Sequence, residues 1–314
     1  MRLIMMGTGP FAVPTFRRLL TAGYEVPLLI TRPAKPSSGR GPAPINPMRE
    51  TAEELGINVL APATANDDEV RAEMAKLQPD LLVVCDYGEI LKSETLAVAR
   101  LGGINLHASL LPKYRGAAPI NWAMYYGDAE TGNTVIHMTP QLDAGPTIAQ
   151  CRTPIGPTET SVDLEARLAH LGAEIVLQAI ADLAAGTATP IVQDNVQSTK
   201  APRLKKTDGE VDWTRTALQL FNQLRAFQPW PQLYTFWQRP GKVPLRLILH
   251  GAEVVPAPAD AQPGVVLPDE SGGLLVATGS GALRLLSIQP AGKKALSAGE
   301  FLRGYQIAPG ARLG

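Results

Sequence analysis

Short apolar runs alternate with amphipathic helical segments through the first 189 residues. Leu3–Met6, Val26–Ile30, Ile57–Leu60, Leu81–Val84 and Gly103–His107 read as strands. Between them, helical periods carry Phe16, Leu19 and Leu20 up to Gly23, run to Leu55 before Gly56, open at an Asn66 cap with Glu69 three residues on, and resume near Ser93. Alternation of this kind predicts an α/β fold built on a parallel sheet. Thr134–Met138 and Thr147–Cys151 are further strand-like runs, and Thr160–Asp163 caps a long helix with Leu164, Leu168, Leu171, Ile175 and Leu183 on one stripe and Gly186 at its end. A first domain is expected to close at residue 189.

The pattern then changes. Residues 190–209 have no sustained apolar period and carry Lys200, Arg203, Lys205 and Lys206, so they read as an exposed basic linker. After a helix near Thr216–Phe227, stopped by Pro229, come five short strand-like runs: Leu233–Trp237, Leu245–Leu249, Gly264–Leu267, Leu274–Thr278 and Leu283–Ile288. Glycine and proline divide them, which predicts a small barrel over residues 210–314. The net charge is zero, but residues 1–189 carry 15 Lys and Arg against 20 Asp and Glu, and residues 190–314 carry 14 against 9. The second part is therefore the half suited to an anion.

Composition excludes several classes. No apolar run reaches the roughly 18 residues of a membrane span, and Met1–Gly7 ends in a glycine turn, as a first strand does and a signal peptide does not. Two cysteines, Cys85 and Cys151, offer no disulfide framework, and four scattered histidines offer no zinc spacing, so no metal is expected. Gly7-Thr8-Gly9-Pro10-Phe11-Ala12 fits a dinucleotide-binding fingerprint, yet the second strand ends in Thr31-Arg32-Pro33 where a ribose-binding acid belongs. A long Pro-, Gly- and Ser-rich loop follows, from Pro33 to Pro47.

The chemistry-bearing stretch is Ile104–Pro119, Ile-Asn-Leu-His-Ala-Ser-Leu-Leu-Pro-Lys-Tyr-Arg-Gly-Ala-Ala-Pro. On a strand, Asn105 and His107 point to one face. Pro112 and Gly116 then force a loop at the strand's carboxyl end, where ligands bind in parallel sheets. Asn and His at a strand end also serve purely structural roles, and this stretch alone leaves both readings open.

The wording of the stretch resembles the folate-dependent formyltransferase signature, Asn-x-His followed by Ser-Leu-Leu-Pro-x-Tyr-Arg-Gly. The resemblance extends to the Asp86-Tyr87-Gly88 turn, to Gln141-Leu142-Asp143-Ala144-Gly145, to Pro229-Trp230-Pro231 and to Gln289–Lys294, and so covers nearly the whole chain. It implies a Rossmann-like formyltransferase domain followed by an OB-like β-barrel. The implied catalytic residues are Asn105, His107 and Asp143, and Tyr87, Ser109, Leu110, Leu111 and Pro112 would line the folate pocket. The implied reaction moves a formyl group from 10-formyltetrahydrofolate to the amino group of methionyl initiator tRNA, in a cytoplasmic monomer without metal or membrane. Arg40, in the loop that resembles the family's tRNA-facing insertion, and Lys205, Lys206, Lys293 and Lys294 would meet the tRNA.

Formyl transfer needs a cradle for a tetrahedral oxyanion and a route for the amine's proton. The Asn105 amide and a His107 imidazolium supply donors, and Asp143 supplies an acceptor. Ser109 lacks the Gly-x-Ser-x-Gly elbow of a serine hydrolase. An amino sugar or glycinamide ribonucleotide would suit the same chemistry, but a basic barrel favours a polyanionic acceptor. A nucleotide-dependent oxidoreductase would leave Asn105, His107 and Asp143 without a role, and a noncatalytic RNA-binding protein would bind RNA without folate turnover.

Overall fold

The computed structural model describes residues 1–34, 45–239, 241–258, 260–269 and 271–314. By contact the chain divides into two compact units, one formed by residues 1–120, 130–154 and 163–202, the other by 121–129, 155–162 and 203–314. The break expected at 189 thus falls elsewhere, and the stretch read as a linker splits. Its first part is held to the first unit by backbone hydrogen bonds that a solvated connector would lack: Ile191 pairs with Thr147, Arg115 donates to the Thr199 carbonyl (2.8 Å), and Ala201 donates to the Arg115 carbonyl (2.7 Å).

In the first unit β1 (Arg2–Met6), α1 (Val13–Thr21), β2 (Glu25–Ile30), α2 (Pro47–Glu54), β3 (Asn58–Leu60), α3 (Asp68–Lys76), β4 (Leu81–Cys85), α4 (Ser93–Leu96) and β5 (Gly103–His107) alternate as expected. After α5 (Pro119–Tyr126), which straddles the division, come β6 (Glu130–His137), β7 (Thr147–Pro154) and the 25-residue α6 (Ser161–Ala185). The sheet order is β3-β2-β1-β4-β5-β6-β7. Strands β1 to β5 are parallel, as expected, and β6 and β7, added at one side, run antiparallel to their neighbours. The short β6–β7 connection suits the antiparallel pairing of those two strands, because antiparallel neighbours need no crossover helix.

From β1 the chain winds outward to β3 and then crosses to β4 on the other side of β1, which makes the carboxyl ends of β1 and β4 the switch point where ligands bind in such sheets. Helix α6 is, among the described residues, long and apolar enough to cross a membrane. Its Leu164, Leu168, Ala173, Val176 and Ile180 are buried, and Gly172 lies so close to β5 that an added Cβ would sit 2.6 Å from Leu106 Cδ2. That close approach makes it a core helix of this unit.

The second unit holds α7 (Ala217–Ala226), β8 (Leu233–Trp237), β9 (Leu245–Val255), β10 (Val266–Leu267), β11 (Leu274–Ala277), β12 (Ala282–Pro290), β13 (Leu296–Ser297) and α8 (Ala298–Gly304). The five expected strands are present, and β13, too short to leave a period, adds a sixth. The antiparallel order is β10-β11-β12-β9-β8, with β13 beside β12. Both free edges meet one segment: Val265 bridges Arg312 and Trp237 bridges Leu313, with Leu313 donating to the Gly264 carbonyl and Gly314 to the Phe236 carbonyl. The sheet forms a small OB-like half-barrel whose two edge strands are both met by the C-terminal segment. Inside it, the Trp213 indole donates to the Thr235 hydroxyl (3.0 Å), both residues being buried. Thr235→Val keeps the shape and orphans the indole N–H, so thermal unfolding should show a loss of about 1–3 kcal/mol.

Candidate active site

The face of β5 that carries Asn105 and His107 is set by its neighbours. Leu106 packs toward α6, so the residues on either side of it turn to the opposite face. On the adjacent strand Thr134 lies opposite His107 and Ile136 opposite Asn105. Among the described residues no hydrogen bond engages the Asn105 amide, which leaves its two donors free for a ligand.

His107 is 5% exposed, and its Nε2 donates to the Tyr114 carbonyl at 2.9 Å. A carbonyl only accepts, so the proton resides on Nε2, and Nδ1 is the ring nitrogen left for chemistry. Nδ1 faces Asp143 Oδ2 at 3.7 Å. The same oxygen accepts the backbone N–H of Gly116 at 2.9 Å. Of the expected triad, His107 and Asp143 therefore face one another, and Asn105 lies one step along the same face.

The loop after β5 folds back over this face and is pinned there. Thr134 Oγ1 accepts the Leu111 N–H (3.1 Å) and donates to the Ser109 carbonyl (2.6 Å), while Gln150 Nε2 donates to Thr134 Oγ1 (3.0 Å) and to the Leu111 carbonyl (3.2 Å). Ser109 is fully buried, and its hydroxyl donates to the Lys113 carbonyl, so its side chain shapes the loop. Leu111 is buried, whereas Leu110 and Pro112 keep partial exposure. Tyr87 packs into the core cluster with Ile4, Met6, Ile30 and Leu82, and burial, helped by Glu89, pushes its phenol up to about 12. Its ring is a core aromatic.

At the carboxyl ends of β2, β3 and β4 the loops are fastened by Glu89. Its carboxylate accepts from Arg32 Nη1 (2.8 Å), Thr64 Oγ1, the Ala65 N–H and Asn66 Nδ2. Asn66 is thereby taken from the helix start: its amide also donates to the Ile90 carbonyl and accepts from Lys92 N and Thr95 Oγ1, and Asp67 stands at the N-cap of α3 instead. The glycine-rich turn after β1 has a packing reason. A Cβ on Gly7 would come within 2.9 Å of the Cys85 carbonyl, and one on Gly9 within 1.8 Å of Asp86 Oδ2.

Asp86 keeps solvent access as a residue, but its carboxyl, lying against Gly9, is pushed from its ordinary 3.8 up to about 6 by lost hydration and then by the Glu165 carboxylate. The folded chain thus holds this proton more tightly than the unfolded one. The stability that this group contributes is full below about pH 4 and is lost as pH rises through 6, where the ionised form must be kept in the fold. Asp86→Asn should therefore raise the melting temperature at pH 8 and change it little at pH 4. An equal shift at both values would remove burial of charge as the cause.

His137, on the α6 face of β6 and half-buried, is driven toward its neutral form by burial and stands away from Asn105 and His107. Lys205, Lys206, Lys293 and Lys294 are all exposed in the second unit, and Arg40 lies outside the described residues. No group of three His, Cys, Asp or Glu among the described residues is placed to hold a metal ion. Four residues at the site had no expected role: Thr134 and Gln150, which fix the loop, and Arg115 and Gln193, which bond to each other beside Asp143. Arg115 stood inside the quoted motif, whereas Gln193 lay in a stretch without any periodicity to mark it.

A mixed sheet with a carboxamide, an imidazole and a carboxylate at the end of one strand, and no side-chain nucleophile among them, is the equipment of a direct group transferase. A formyl transferase family profile matches residues 1–180, and a second, formyl transferase C-terminal domain, matches residues 203–306. The methionyl-tRNA formyltransferase of Rhodopirellula baltica is 43% identical over 325 residues, covering 100% of this chain and 96% of that protein. That of Methylococcus capsulatus is 42% identical over 315 residues, covering 100% of both. Among solved structures, an N-formyltransferase from Helicobacter canadensis, in complex with folinic acid and dTDP-3-aminofucose, shares the fold at TM-score 0.65 and 18% identity, covering 90% of this chain and 98% of its own. The chain belongs to the methionyl-tRNA formyltransferase family.

Proposed function

We propose that this chain transfers the formyl group of 10-formyltetrahydrofolate to the free amino group of methionyl initiator tRNA. The observation that carries the reading is the meeting of His107 Nδ1 and Asp143 Oδ2 at the end of β5, beside the unengaged amide of Asn105. The amine attacks the formyl carbon. The Asn105 N–H donates to the oxygen as it becomes an oxyanion, and His107 adds a second donor through Nδ1 when it carries a proton there. The amine's proton passes to the Asp143 side of the pair, the carbon–nitrogen bond to the folate breaks, and that nitrogen takes up a proton to leave tetrahydrofolate.

Leu110 and Pro112, with the backbone of the loop they share with Ser109 and Leu111, form one wall for the folate, and the Tyr87–Glu89 turn forms another. Arg40, Lys205, Lys206, Lys293 and Lys294 attract tRNA phosphates, in keeping with the excess of basic residues after position 189. No step calls for a metal. The reading places the protein in the cytoplasm as a monomer, where initiator tRNA is charged.

An assay of formyl transfer to charged initiator tRNA tests the proposal. Formylation of a nucleotide-linked amino sugar, with none of the tRNA, would assign the same chemistry to another acceptor. Tight binding of a reduced nicotinamide cofactor, without folate turnover, would end the proposal altogether.

A further inference from the structure

We propose that Gln193 is a positioning residue for formyl transfer, one that holds the backbone at Asp143 so that its carboxylate stays opposite His107. This rests on the reaction proposed above. Gln193 is 8% exposed, and its Nε2 donates to two carbonyls of the Asp143 turn, that of Asp143 at 2.9 Å and that of Gly145 at 2.7 Å. Its Oε1 accepts Nε and Nη2 of Arg115 at 3.1 and 2.7 Å. A guanidinium only donates, so this contact fixes which end of the amide faces the turn. Every hydrogen of the Gln193 amide is then used on the turn.

The turn needs such a restraint. Asp143 stands at φ +49°, in the left-handed region that costs any residue with a Cβ, and the turn is pressed onto β6 so closely that a Cβ on Gly145 would lie 1.7 Å from the His137 carbonyl. Arg115, the residue that orients Gln193, directly precedes Gly116, whose N–H holds Asp143 Oδ2. The contacts therefore form a closed ring, from the Asp143 carboxylate through Gly116 and Arg115 to Gln193 and back to the Asp143 carbonyl. Both the backbone and the side chain of Asp143 are set through the same pair of residues. A glutamine that merely satisfied two loop carbonyls would support stability but would have no particular bearing on kcat.

Gln193→Glu separates these roles. It keeps the size and the contact with Arg115 but cannot donate to either carbonyl when ionised. Kcat for tRNA formylation should fall on the order of 100-fold, the scale expected from a displacement of about 1 Å at a reacting group, while KM for folate and for tRNA stays within about threefold. In the substrate-free protein, hydrogen exchange at the Gly116 amide should accelerate, since its acceptor has moved. Adding Gln193→Glu to Asp143→Asn should cost little more than Asp143→Asn alone. Arg115→Lys, which leaves the buried amide in place, should show the same signs more weakly and carries the test if Gln193→Glu does not fold. Unchanged kcat, unchanged Gly116 exchange or full additivity with Asp143→Asn would each overturn the proposal. If the wild-type protein formylates no tRNA, the functional reading fails, and the exchange measurement still decides whether Gln193 holds the turn.

Discussion

Replacing His107 with alanine should lower kcat for formyl transfer by about 10²- to 10⁴-fold, the range supplied by a positioned acid–base group, and leave folate affinity nearly unchanged. Two features make the loss specific to the transition state. Nε2 is committed to the Tyr114 carbonyl, so the ring is held in one tautomer and one orientation, and Nδ1 is turned toward Asp143 Oδ2 at 3.7 Å. A separation beyond hydrogen-bonding length is what an acid–base pair shows before a substrate draws it together. Asp143→Asn should be similarly severe, and the double variant no worse than either single one, because the two groups act as a unit. Rapid-quench measurement of the single-turnover rate, with folate binding followed separately, checks both. A large rise in folate dissociation constant with kcat preserved would move His107 from the reaction to ground-state binding.

What the sequence made legible follows from where periodicity is strong. Strands β1 to β5 and the helices between them were readable because each buries an apolar stripe at a fixed period, and Asn105 and His107 could be placed on one face from alternation alone. The antiparallel return of β6 and β7 was not readable, since the side-chain pattern of a strand is the same whichever way it runs. Asn66 misled for another reason: a cap signal is local, while its amide is claimed by Glu89 and Ile90 more than twenty residues later. Residues 190–202 looked like a linker because a strap that bonds through its backbone and through single polar side chains leaves no hydrophobic pattern. Thr199, Ala201 and Gln193 all act in that way. The aromatic at position 87 was expected to line the folate pocket, but its ring packs among Ile4, Ile30 and Leu82, a placement that no local sequence signal marks.

Gly116→Ala should be nearly as damaging to catalysis as the loss of His107, although it removes no polar group. Gly116 lies at φ +130°, a conformation that costs a residue with a side chain roughly 1–3 kcal/mol, and its added Cβ would meet the Ala201 carbonyl oxygen at 2.4 Å. That oxygen cannot swing aside as a side chain would, because it belongs to the backbone strap and accepts the Ala118 N–H, while the Ala201 N–H is bonded to the Arg115 carbonyl. Relief must come from the 115–118 turn moving away from the strap. The Gly116 N–H then leaves Asp143 Oδ2, and the carboxylate loses a donor that fixes it opposite His107. A shift of about 1 Å at a reacting group is enough to cost on the order of 100-fold in kcat, and the strain should appear together with it as a lower melting temperature. Ala117→Gly, one residue along, serves as the comparison, since it relaxes the same turn without placing an atom against the strap. If Gly116→Ala melts early but keeps its kcat, the Gly116 N–H does not position Asp143, and the orientation of that carboxylate must be assigned to the Gln193 contacts alone.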